Sequence, residues 1–570
     1  MHAFRRIQYL ALALFASASA GCGLHTQGSV ENETLSVYGP ISGLAPSEHY
    51  SFRIRQVGSS EWLSPFAFIT RCLPSTPEND ATAYYSKYMG SWSNSYINFE
   101  MAESAEVEIE ISKVDSSPIL TAAALPAQAV QSCSVQAGKV YVRINKTGLF
   151  TVDIDGQMDQ TTARLQPSGW NRQSHYSGPP IHTLTIFANP VLTDKPDPAD
   201  PSVLVVQPGD RLPQHDGPWT TLYFAPGVHD IGRGFKVHKD RNYYIPGDAI
   251  VYGSFNNRKD FSDGANIRIF GHGTLSGERI NHPRDESLPV PEEDRWQYNP
   301  IDIAGPAKTY IEGITIADSA HHSLMLYAGY NPELPVDVSW VKIFTWRGNG
   351  DGINPFGNLL VEDSFIRAAD DSFYVNGRGI RRCVIWNDVN GSAFLMTAIS
   401  GIQNPDLVIE DCDVLYNRSI FTENSRGGHV FAIRGEGRGA GGSNVTFRNI
   451  RVHDPYATQP PIALETGAPY FKDPNYDYVR GPGDISGIRF EDITIESQSI
   501  LGYPNTLWGT SDARIRSLIF EKVSIAGEFL DSIDDFTRNS FVSEIDFLLP
   551  DLDTRFVNQS GDNSRESRSN

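Results

Sequence analysis

The chain has 570 residues, of which 40% are hydrophobic, 20% charged and 11% aromatic, with 49 Gly and 36 Pro. That length implies more than one domain, and the composition excludes a disordered or collagen-like chain. The 47 Lys and Arg against 68 Asp and Glu give a net charge of −21, which disfavours nucleic acid and other polyanions as partners and favours a neutral one.

Residues 1–21 read as a secretory signal: a basic MHAFRR start, an apolar run over 7–16 too short to span a bilayer, then small residues with cleavage after Ala20. A lipid anchor through Cys22 is the alternative, with Ser19 standing where an aliphatic residue is expected. No later apolar run reaches membrane-spanning length, so the mature chain is expected outside the cell with no membrane span. In that compartment a Cys72–Cys133 disulfide is expected. The sequons at Asn32, Asn145, Asn390, Asn417, Asn444 and Asn558 allow glycosylation in a eukaryotic host.

Residues 25–190 alternate apolar and polar in short runs, such as YSFRI at 50–54, AEVEIEI at 105–111, VYVRI at 140–144 and TLTIF at 183–187. Period-two strands separated by Gly, Pro and Ser predict a β-sandwich. A proline-rich connector at 189–201 ends this domain.

From 205 to 558 a different pattern takes over. An apolar residue is followed five positions later by Ile or Val in IEGITI (311–316), VSWVKI (338–343), VEDSFI (361–366), IRRCVI (380–385), IEDCDV (409–414), FRNIRV (447–452), FEDITI (490–495) and FEKVSI (520–525). The gaps between first residues are 27, 23, 19, 29, 38, 43 and 30. Amphipathic helical segments are missing, so the repeat predicts rungs of a parallel β-helix spaced by about 4.8 Å. The long gaps are insertions, where a groove would be built. Cys383 and Cys412 take the same place in their rungs, as a buried ladder of thiols or a disulfide; the ladder is expected. Residues 559–570 form a polar tail.

The segments GNGDGIN (348–354) and AADDSF (368–373) hold three carboxylates, Asp351, Asp370 and Asp371. Aligning DGI with DSF puts Asp351 and Asp371 on consecutive rungs. Neighbouring strand residues point to opposite faces, so Asp370 and Asp371 share a groove only where the chain bends. Like charges this close raise at least one pKa, which sets a protonated acid beside ionised bases. That is the equipment for cleaving a glycosidic bond. Turn formation and Ca²⁺ binding are the competing roles for such acids. His429, Arg434 and Arg438 are candidates for lining a groove or, equally, for a solvated loop.

With LTIFANP (184–190), LYFAPGV (222–228), GHGTLSGE (271–278) and this aspartate spacing, the chain resembles glycoside hydrolase family 49, the dextranase and isopullulanase family, within the wider polygalacturonase-like clan. The resemblance covers about 180–400. It implies an all-β chain with an N-terminal β-sandwich and a right-handed parallel β-helix, and inverting hydrolysis of α-glucans without a cofactor. Asp370 would be the general acid, Asp351 and Asp371 would activate water, and Glu278 would hold substrate. Asn354 and Tyr374 stand where the family usually has Glu and Lys, so they would alter how the sugar is held. The alternatives are a uronan hydrolase, a non-catalytic polysaccharide-binding β-helix, and a Ca²⁺-dependent lyase. A polysaccharide is the expected partner, and the chain is expected to be a monomer.

Overall fold

Alternation in the first half builds two layers. A four-stranded antiparallel sheet contains Tyr50–Gln56, Val107–Lys113, Lys139–Ile144 and Ser132–Gln136. It packs on a six-stranded mixed sheet whose centre pairs Ser93–Met101 in parallel with His182–Pro190. Phe52, Ile54, Ile109 and Val142 from one layer meet Ile97, Phe99, Leu184 and Ile186 from the other in one apolar cluster. The structure, a computed structural model, describes residues 34–73, 92–158, 165–167, 174–176, 179–213, 217–257, 266–283, 290–305, 308–329, 334–397, 407–418, 428–435, 441–466 and 483–550. The signal segment 1–21, Cys22, Asn32, Arg438, Asn558 and the tail 559–570 lie outside them.

The second half is a parallel β-helix of three sheets, and the chain as a whole is all-β. Every repeat read from the sequence falls into register. Ile311, Val338, Val361, Ile380, Ile409, Phe447, Phe490 and Phe520 pair in one column of the first sheet. Ile316, Ile343, Ile366, Ile385, Val414, Val452, Ile495 and Ile525 pair in one column of the second. These side chains are buried in a single continuous core. Phe447, Phe490 and Phe520 stack with ring centroids 5.3 and 5.0 Å apart.

The constant five-residue separation has a local cause. The third residue of each repeat turns the chain between the first and second sheets in the left-handed conformation: Gly313, Trp340, Asp363, Arg382, Asp411, Asn449, Asp492 and Lys522 all have φ between 48° and 78°. Gly, Asn and Asp adopt this conformation at least cost, which explains their frequency there.

Cys383 and Cys412 are buried free thiols stacked on adjacent rungs, each Sγ donating to a backbone carbonyl two residues earlier at 3.3 Å. The ladder therefore holds. The expected Cys72–Cys133 disulfide does not: both are free, Cys72 in the cluster between the domains and Cys133 against the sandwich core.

The sandwich lies on the second sheet of the β-helix. Ser93–Met101 is buried along its whole length because both of its faces are covered. Ile97, Phe99 and Met101 face the sandwich core. Alternate residues meet the β-helix: Tyr96 Oη lies 3.0 Å from Thr274 Oγ1, Asn98 donates to Thr315 Oγ1 at 3.2 Å, and Asn94 accepts from Arg367 at 3.3 Å. Arg367 also donates to Thr183 at 2.6 Å and pairs with Asp388 at 2.7 Å. Its guanidinium lies over the rings of Trp346 and Trp386, 4.5 and 3.9 Å from their centroids. Buried charges survive only when paired and hydrogen-bonded in this way.

Candidate active site

The turn from the second sheet to the third is looser than the first corner. Its rungs hold Asp351, Asp371 and Ser392 in one column, fixed by the pairing of Ile353 with Phe373 and of Phe373 with Phe394. Gly352 N donates to Asp371 O and Ser372 N to Ser392 O, at 2.9 and 2.8 Å. The same column continues backwards to His322 and forwards to His429, through the pairs Leu324–Ile353 and Phe394–Phe431.

The chain bends at Ala369–Asp370, between Phe365–Ala368 and Phe373–Tyr374. That bend lets Asp370 and Asp371 join Asp351. Asp371 N donates to Asp370 Oδ1 at 3.1 Å, closing the bend on itself. Asn387 donates to the Asp370 carbonyl at 2.8 Å, and Asn390 to Asp370 Oδ2 at 2.9 Å. Ser392 N donates to Asp371 Oδ1 at 2.7 Å. Gly391 makes this stacking sterically possible: its φ is +63°, and a Cβ there would sit 2.1 Å from Asp371 N.

Asp351 is held from two sides. Tyr374 Oη donates to its Oδ2 at 2.8 Å, and His322 Nδ1 faces its Oδ1 at 3.0 Å in an ion-pair contact that is not aligned as a hydrogen bond. Burial opposes a charge on His322, but Asp351 outweighs it, helped by Asp302 and Asp371, and the histidine pKa is raised.

All three aspartates are buried, with 2 to 7% of their surface exposed. Burial, and then the charges of Asp351 and Asp371, push the Asp370 pKa far above the usual carboxylate range. Burial and Asp351 push Asp371 up to about 7, against the opposing pull of Arg434, Ser392 N and Tyr374. At neutral pH the cluster therefore holds Asp370 as a neutral acid beside Asp371, which is poised to gain or lose a proton. A neutral carboxylic acid beside a proton acceptor is an acid–base pair. Among the described residues, no group of three or more His, Cys, Asp or Glu side chains is arranged to hold a metal ion.

Asn354 is buried one rung before Tyr374, each directly following a residue of the solenoid core, Ile353 and Phe373. Its Oδ1 has no hydrogen-bond partner among the described residues. Glu278 is exposed. Burial of part of its side chain raises its pKa, with Asp318 adding to the shift while Arg71, Arg347 and Arg279 oppose it. His429 is buried with Nδ1 2.8 Å from Pro460 O, so it belongs to the column's interior rather than to a solvated loop. Two sequons meet structural obstacles. Asn417 is fully buried and donates to Gly428 O, and Asn390 is engaged with Asp370.

Sequence reasoning missed His322, Asn387, Asn390 and Ser392. His322 was findable by extending the aspartate column one rung backwards, to the His321-His322 pair. Asn387 ends the strand Val384–Asn387 in register with Ala368, and Asn390 follows on a loop whose path no periodic pattern marks.

No family model matches the chain, and no curated protein matches it. Among solved structures the chain is similar to Dex49A from Penicillium minioluteum, with a TM-score of 0.65 over 91% of this chain and 100% of that chain, at 17% sequence identity. At that identity the likeness shows a shared fold.

Proposed function

We propose that the chain is a secreted, monomeric glycoside hydrolase that cleaves a neutral α-glucan of the dextran or pullulan type with inversion. The observation that carries this reading is the buried Asp370 carboxyl, kept protonated by burial and by Asp351 and Asp371. The family 49 motifs and the fold shared with Dex49A support the same reading.

Asp370 hands its proton to the glycosidic oxygen as the bond to the anomeric carbon breaks. Asp351 and Asp371 take a proton from the water that attacks the opposite side of that carbon. The chemistry calls on side-chain acid and base alone. His322 and Tyr374 fix the Asp351 carboxylate so that it meets the water in one orientation. The unpartnered Asn354 Oδ1 offers an acceptor for a sugar hydroxyl, Tyr374 contributes beside it, and Glu278 holds a more distant part of the substrate.

The test is a panel of dextran, pullulan and polygalacturonate, with the first-formed reducing end followed by NMR. Release of the β anomer from an α-glucan is expected, and Asp370→Asn should fold normally while losing roughly 10²- to 10⁴-fold in kcat. Turnover of polygalacturonate alone, an α-anomeric first product, or full activity in Asp370→Asn would overturn the reading.

A further inference from the structure

A cavity of about 320 Å³ lies on the far side of the second sheet, where the sandwich edge meets the tight first corner of the β-helix. Four consecutive corner residues, Trp340, Asp363, Arg382 and Asp411, contribute to its wall, and Lys146 and Gln128 close it from the sandwich. Two of the corner residues are out of keeping with their backbone. Trp340 has φ +55° and Arg382 φ +53°, where five of the other six repeats place Gly, Asn or Asp and only the last has Lys522. A bulky aromatic in the left-handed region is strained, and strain of this kind collects where a side chain is needed for function.

The wall also has the right chemistry for a sugar. Its ionisable groups are three cations, Lys146, Arg382 and Arg451, and three anions, Asp363, Asp411 and Asp413, so the net charge is zero. They are fixed by one another: Arg382 clasps Asp363 through two bonds of 2.7 and 2.9 Å, and Arg451 clasps Asp413 at 2.7 and 2.8 Å. Planar, pre-oriented donors and acceptors beside an indole match the hydroxyls and the apolar face of a pyranose. A uronate would meet no surplus of positive charge.

We propose that this cavity is a second, non-catalytic binding site for one or two residues of a neutral glucan. It lies at the opposite end of the strand Phe365–Ala368 from the acid cluster, four residues that span about 13 Å, with Asp363 before them and Asp370 after. The proposal rests on the glucan reading above, and a polymer held at both places would bind more tightly than a short one.

The experiment uses the full chain carrying Trp340→Asn, a residue suited to this corner, and separately Lys146→Ala on the exposed sandwich edge. The apparent KM for high-mass dextran should rise about tenfold in Trp340→Asn and less in Lys146→Ala, equivalent to about 1.4 kcal/mol at the larger effect. The kcat/KM for isomaltotriose should be unchanged in both, which separates loss of the second site from the packing that Trp340→Asn removes at the cluster between the domains. Unchanged KM for dextran in both variants, or equal losses on dextran and isomaltotriose, would overturn the proposal while leaving the hydrolase reading intact. Failure of the parent chain to bind or cleave any neutral glucan would overturn both.

Discussion

The two corners of each rung behave differently. Between the first and second sheets, through the eight repeats from Ile311 to Ile525, the chain turns on one left-handed residue and the number of residues across the turn does not change. Between the second and third sheets it wanders, and there the column His322, Asp351, Asp371, Ser392 and His429 collects. A turn made by one residue leaves no slack to aim a side chain. A turn made by several lets backbone amides and asparagines grip carboxylates that would otherwise repel one another. Regularity at one corner holds the stack in register, so irregularity at the other becomes tolerable.

That contrast can be broken most severely at the loose corner. Gly391→Ala puts a methyl 2.1 Å from Asp371 N in a left-handed residue, so the Asp370–Asp371 bend must move. Loss of about 3 kcal/mol in stability is expected, together with most of the activity, as read by urea unfolding and turnover of dextran. Retained activity would show that the bend adjusts freely.

A smaller and opposite effect is expected for Asp371→Asn. The folded pKa of Asp371 is raised to about 7, above its unfolded value near 4, so between those limits the folded state binds more protons than the unfolded one. Stability contributed by this group is present below pH 4 and is lost as pH rises to 7. The asparagine should therefore raise the thermal midpoint at pH 7 by about 2 °C, with no gain at pH 4, while activity collapses. A thermal shift that does not depend on pH would contradict the assignment.

The smallest effect belongs to the tight corner. Lys522 is exposed with φ +52°, and Lys522→Gly should add about 1 kcal/mol to unfolding stability with no change in activity. A destabilised Lys522→Gly would mean that the corner is set by side-chain contacts rather than by backbone conformation.

The same contrast decides what was legible in the sequence. The repeat could be read because inward apolar residues and a single corner residue recur at fixed separation, so even the 38- and 43-residue gaps left the column intact. The carboxylates were legible because the rung between them is short. His322 was legible only by carrying the column back across a rung of 29 residues, and Asn390 acts across a bend that no pattern announces. Ser93–Met101 was invisible for a different reason: a strand covered on both sides alternates between apolar residues and polar residues that bond to another domain, and its buried asparagines and glutamate read as solvent-facing.

The wedge of Arg367 between two indoles makes the N-terminal layer inseparable from the solenoid. Lys342 and Arg367 on the solenoid are completely enclosed, and Thr183, Asn94 and Glu100, which answer them, all come from the other domain. Trimming the sandwich away would not liberate a smaller catalyst. It would strip the insulation from Arg367, on the strand that delivers Asp370, and from Lys342 on the strand beside it, turning a dry wall into a wet one.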